Sequence, residues 1–307
     1  MPDTKISKIL DSFIEEGIKM TPIGATLLGV PGFDDKLDDF SMVGQKAREE
    51  LTRKTLNEVK AESPENEYDR IAQAVATERL SSELRLAESH ESRALFNLIS
   101  SPVTSIRQVF EMMPKDKSDS AANAAKRLNA ISEALKGWCS TLETVAGEGR
   151  VNSTRQVLAT AGQLETFSRG AFQAVAKKFD QAGSNGELLQ AAKNAESACM
   201  ETANWLKNSY APKSDPKDGV GEERYKMWAR HFTGADLNLK DTYEWGIAQL
   251  DEINARMKRA ADRLYPDATS LREVADRLDK DPRYTVEGEA ELLRKLKEFI
   301  EKAVERL

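Results

Sequence analysis

The chain has only two histidines and two cysteines among its 307 residues, and that scarcity removes several kinds of chemistry at once. A zinc hydrolase usually carries two histidines one helical turn apart, with a neighbouring glutamate as base. Here His90 is followed by Glu91, but the residue one turn further on is Ala94, which cannot bind metal. No metal ligand and no cofactor is therefore expected in this chain. A Ser, His, Asp triad would have to recruit His90 or His231, and nothing in the sequence favours either. No glycine-rich phosphate loop or nucleophile-elbow pattern occurs, so no catalytic residue is assigned and the chain alone is expected to be inactive. Cys139 and Cys199 sit among apolar residues at helical spacing, which predicts buried, reduced thiols rather than a disulfide.

Basic excess is missing too. The net charge is -6, and nucleic-acid binding relies on a basic surface that releases counterions, so no nucleic-acid partner is expected. The local run Arg256, Lys258, Arg259 and Arg263 is interleaved with acids and reads as a solvated helix face. No apolar stretch approaches the roughly 20 residues that span a bilayer, and the start, Met1 through Lys8, is polar. No membrane partner and a cytoplasmic location follow as expectations. Almost no segment alternates with period two, so little or no strand is predicted.

Helical periodicity is what the sequence does contain. Ala124, Leu128, Ile131, Leu135, Trp138, Leu142 and Val145 repeat at steps of four and three and fall on one stripe. The same spacing recurs in Leu188, Ala192, Ala195, Cys199 and Leu206, and in Tyr243, Ile247, Leu250, Ile253, Met257 and Leu264. Start signals agree: Ser63 precedes Pro64, Ser101 precedes Pro102, and Ser184 with Glu187 and Ser270 with Glu273 have capping-box spacing. The predicted fold is all-α, an array or bundle of about ten helices with the long amphipathic ones packed antiparallel.

Breaks in the pattern divide the chain. A first helix is expected from about Thr4 to Met20, followed by a non-helical, rather apolar segment from Thr21 to Phe40. The strongest break carries Pro212, Pro216, Gly219 and Gly221. It sets the expected organisation: an N-terminal helical region 1–210, a linker at 211–221 and a C-terminal helical region 222–307, the whole also being compatible with one compact domain. At the end, Leu292, Leu293, Leu296, Phe299, Ile300, Val304 and Leu307 form an apolar stripe without a capping glycine or polar tail. Such a stripe calls for a partner helix or for further chain beyond the last residue.

Two groups of polar residues are candidate sites. Asp34, Asp35, Asp38 and Asp39 could gather oxygens around a hard cation, but the glycine and distal glutamate of a calcium loop are absent. The plainer expectation is a solvated loop with one aspartate capping a turn or helix. Arg224, Tyr225, Trp228, Arg230 and His231 form the densest aromatic and hydrogen-bonding group. Steps of three and four put Arg224, Trp228 and His231 on one helical face, able to hold an anionic group against an aromatic wall. The plainer expectation there is an ion pair to a neighbouring acid.

Several stretches together resemble the bacterial family called domain of unknown function 885. They are Gly29 through Ser41, Ser101-Pro102 through Pro114, and Gly221 through Tyr225, continuing into Ala229 through Leu237 and Thr242 through Gly246, with Asp279 through Gly288 near the end. The resemblance implies a helical chain followed, in the family's C-terminal half, by a His-Glu-Gly-x-Pro-Gly-His-His motif similar to the zinc-binding helix of metallopeptidases. That motif is missing here. The resemblance thus implies the N-terminal half of a metallopeptidase-like protein, with zinc belonging to a full-length member. It also implies that the Asp34 to Ser41 loop and the Arg224 to His231 helix wall a substrate cleft or anchor the other half. The alternative is a stand-alone helical scaffold that binds a partner helix on its Leu292, Leu296, Phe299, Ile300 and Val304 face.

Overall fold

In the computed structural model, residues 4–99, 101–180 and 186–306 are described. Met1 to Asp3, the Ser184 cap and the terminal Leu307 lie outside them. Thirteen α-helices and no strand occur among the described residues. The fold is all-α as expected, with more helices than the ten or so counted from the sequence.

The chain divides into two compact units, Met1–Asp236 and Leu237–Leu307. The first is organised on α6 (Ser120–Gly147), 28 residues long. Its stripe from Ala124 to Val145 is buried as the spacing predicts. It packs against α9 (Gly186–Trp205), whose Ala191, Ala192, Ala195 and Ala198 let the two backbones approach closely. Phe96, Trp138 and Tyr210 pack together within this core, with the Phe96 ring 5.1 Å from Trp138 and 6.2 Å from Tyr210. Around this pair lie α7 (Thr154–Phe167) and α8 (Ala171–Phe179). A smaller apolar cluster of Leu56, Leu80 and Leu84 joins α3 (Met42–Ala61) to α4 (Glu67–Glu88), with Phe13 of α1 (Lys5–Met20) against it.

Caps explain where several helices start. The Thr4 and Ser7 side chains bond each other's backbone N–H at the head of α1, and Ser101 caps α5 (Pro102–Met112). Two expectations need correction. The helix expected to start after Ser63, at Pro64, begins three residues later, because the Asn66 side chain accepts from Asp69 N and fixes the start there. The supposedly non-helical Thr21 to Phe40 segment contains α2 (Pro22–Leu27). Thr21 gives it no side-chain cap; instead the Asp38 carboxylate accepts from Ile23 N at 2.9 Å.

The 211–221 stretch, expected as the linker, lies within the first unit. Asp215 N donates to Asn152 O at 2.9 Å and Thr154 N donates to Asp215 O at 2.8 Å. These bonds stitch the proline-rich segment to the start of α7, and α10 (Glu222–Thr233) then packs on α4. Composition detected an irregular backbone here, while the division of the chain falls after Asp236.

The second unit holds α11 (Leu239–Leu264), α12 (Leu271–Leu278) and α13 (Glu289–Val304). Among its described residues Ala261 and Val274 are the buried hydrophobics, and α11 meets α12 around them. The apolar stripes of α11 and α13 are exposed, Phe299 at 72% and Tyr243 at 70%. Both cysteines are free, and burial pushes each thiol up to about 12, so neither is a thiolate at neutral pH.

Candidate functional site

The Arg224 group is built around an acid that the sequence did not single out. Glu91, in the turn after α4, is 2% exposed. Its Oε1 accepts from Arg150 Nε at 2.7 Å and from Arg224 Nε at 2.6 Å. Its Oε2 accepts from Arg150 Nη2 at 3.2 Å, Arg224 Nη2 at 3.1 Å and the Trp228 indole N–H at 2.9 Å. Burial by itself would raise this carboxyl. The hydrogen bonds from Arg224, Arg150 and Trp228 outweigh it and hold the group at about 2. The anionic group that Arg224 and Trp228 hold is thus part of the chain, and two arginines around one glutamate leave a net positive charge.

The rest of α10 is fastened by α4. Arg230 makes a bidentate pair with Glu78, at 2.8 and 2.7 Å, and a further pair with Asp236. Arg79 donates to the His231 carbonyl, and Ser82 Oγ lies 3.3 Å from His231 Nδ1. Burial, and then Arg79, lower the His231 pKa, so the ring is neutral at pH 7. The rings of Trp228, His231 and Phe232 pack together at 5.3 to 5.8 Å. Tyr225 is exposed and takes no part in the Glu91 clamp.

The four aspartates serve the loop that carries them. Asp38 caps α2, Asp34 accepts from Thr26 Oγ1 at 2.8 Å, Asp39 accepts from Ser41 N at 2.8 Å, and Asp35 lies 3.6 Å from Lys126. Beneath them is Arg127, wholly buried on α6. It donates to Lys36 O at 2.7 Å, Phe33 O at 2.7 Å and Thr26 Oγ1 at 2.9 Å, while its Nη1 has no partner among the described residues. Burial pulls this guanidinium down to about 10, with Asp34, Asp38 and Asp35 acting in the opposite direction. No group of three metal-capable side chains converges among the described residues.

The two candidate groups are not brought together. Arg127 lies near the start of α6 and Arg150 just beyond its end, about 30 Å apart at 1.5 Å per residue. Arg127 could have been found from sequence, since it stands three residues after Ala124 and interrupts the apolar stripe with a charge. Glu91 carried no such signal.

Gly44, at the start of α3, is where the loop returns to the helices. A Cβ there would lie 2.6 Å from Asp39 Cγ and closer still to the Asp39 carbonyl oxygen. Gly44→Ala is therefore expected to cost about 1–3 kcal/mol, measured by urea unfolding, because backbone rather than a flexible side chain must move.

The fold alone defines the class, an all-α protein. The family described as bacterial protein of unknown function (DUF885) matches residues 22–307, and the chain belongs to it. No curated protein matches. No helix of the described residues is long and apolar enough to cross a membrane.

Proposed function

We propose that this chain is a helical docking scaffold. Its first unit is a fastened body, and its second presents apolar helix faces to a helical partner. The observation that carries this reading is the exposure of the α13 stripe: Leu292, Leu293, Leu296, Phe299, Ile300 and Val304 are each 45% exposed or more. Contiguous apolar surface of this kind is stabilised by burial against a partner. At 100° per residue, Lys295, Lys302 and Arg306 border one side of the stripe and Lys297 the other. The fitting partner is an amphipathic helix with acidic flanks. If family members hydrolyse peptides with zinc, as the resemblance implies, metal, base and water come from such a partner region. Arg224, Tyr225, Trp228, His231 and the Asp34 to Asp39 loop then support a cleft wall.

A synthetic amphipathic helix with glutamates flanking a leucine stripe tests the docking role by fluorescence anisotropy. The chain should bind it, and Phe299→Glu with Ile300→Glu should weaken binding by at least about tenfold while circular dichroism stays unchanged. Absence of binding, or binding indifferent to the double substitution, would overturn the reading. The catalytic part is tested separately by the intact mass, zinc content and peptidase activity of the protein purified from its native source.

A further inference from the structure

α10 is held differently from the other α-helices of the first unit. Each of those has buried residues, while α10 has none among the described residues. What ties α10 down is polar: Arg224 and Trp228 on Glu91, Arg230 on Glu78, and Arg79 and Ser82 against His231. Ion pairs of this kind weaken as salt screens them, whereas apolar packing such as that of α6 on α9 does not.

Glycine bounds the helix on both sides. Gly221 at its start supplies no side-chain cap, Gly234 stands just past its end, and both have positive φ, 80° and 71°. A residue without a Cβ changes direction there at little cost. The face of α4 under α10 also runs on beyond it. Tyr68, Ile71, Val75, Glu78, Arg79 and Ser82 follow steps of three and four and share one side of α4. α10 meets the last three of these, and Tyr68, Ile71 and Val75 are exposed.

We infer that α10 is a releasable strap, which leaves α4 as one unit while the rest of the first unit stays folded. Its release opens the α4 face from Tyr68 to Ser82 and uncovers Glu91. A helix of 12 residues is marginal in water without its support, so release and unfolding of α10 are one event. Glu91 keeps Arg150 when Arg224 and Trp228 depart, so the body is not left with an unpaired buried acid. Local opening of this kind belongs to elements with few buried apolar contacts. The inference concerns the first unit and does not rest on the docking reading of the second.

Native-state hydrogen–deuterium exchange of the full chain, at about 0.05 M and about 1 M salt, is the test. The α10 amides should exchange together, more slowly than the loops and faster than the middle of α6, and high salt should speed α10 while leaving α6 unchanged. Arg230→Gln removes the clasp to Glu78 and should accelerate α10 by about tenfold, again without effect on α6. The salt series on the wild type needs no variant, so a substitution that fails to fold does not decide the matter. α10 amides that exchange with α6 at the rate of global unfolding, at both salt concentrations, overturn the inference. So does an acceleration by Arg230→Gln that spreads equally through α4 and α6, since the clasp then belongs to the whole fold.

Discussion

Replacing Glu91 by glutamine should lower stability by about 3–5 kcal/mol in urea unfolding at pH 7, the largest single effect expected outside the apolar core. The substitution keeps the shape of the side chain and removes the charge. Arg150 and Arg224 are then left side by side, with Arg150 only 13% exposed, and no anion between them. The cost is that of uncompensated buried charge rather than of lost packing. The pH dependence gives an independent check. The Glu91 carboxyl lies at about 2 in the folded chain, below its ordinary 4.5. Its stabilisation is therefore complete above about pH 4.5 and is lost as pH falls toward 2. The linked contribution is about 3 kcal/mol, from about 1.4 kcal/mol per unit. The gap between wild type and Glu91→Gln should close over that window; a gap of constant size down to pH 2 would mean that the clamp is not what Glu91 contributes.

Arg127 should give the second large effect. Arg127→Met removes the donor for the Lys36 and Phe33 carbonyls and for Thr26 Oγ1 in one step. A methionine fills most of the volume, so the loss comes from buried acceptors left without a donor, about 1–3 kcal/mol for the first and less for those that water reaches. Arg127→Lys should rescue little, since one ammonium cannot match the planar spread of a guanidinium. Amide exchange should separate this from general destabilisation, with residues 22–40 opening well before the middle of α6. Uniform acceleration through both would contradict the anchoring role.

The parts of the fold that rest on local pattern were legible in the sequence. The α6 stripe from Ala124 to Val145 and the α9 stripe are buried as their spacing requires. What escaped were features that depend on residues far apart. Asp38 starts a helix fifteen residues before it, within the Thr21 to Phe40 segment expected to be non-helical. Asp215 ties the 211–221 stretch to Asn152, a long-range bond that local composition does not register. In the candidate site, the grouping of Arg224 and Trp228 on one face and their taste for an anion could be read. Glu91 could not, because it lies 133 residues from Arg224 and 59 from Arg150. The four aspartates read as a cluster, yet each has a separate duty in the loop, and the charge that organises them, Arg127, sits on another element.

The central claim is that the polar clusters of the first unit are internal fastenings while the second unit's helices are surfaces awaiting a partner. Hydrogen–deuterium exchange of the full chain, with and without the synthetic amphipathic helix, tests it most directly. The account predicts that α10 is protected in both states through Glu91 and Glu78, and that α13 gains protection when the helix is added. Protection of α13 that ignores the added helix, or an α10 that exchanges as fast as the loops, would contradict it.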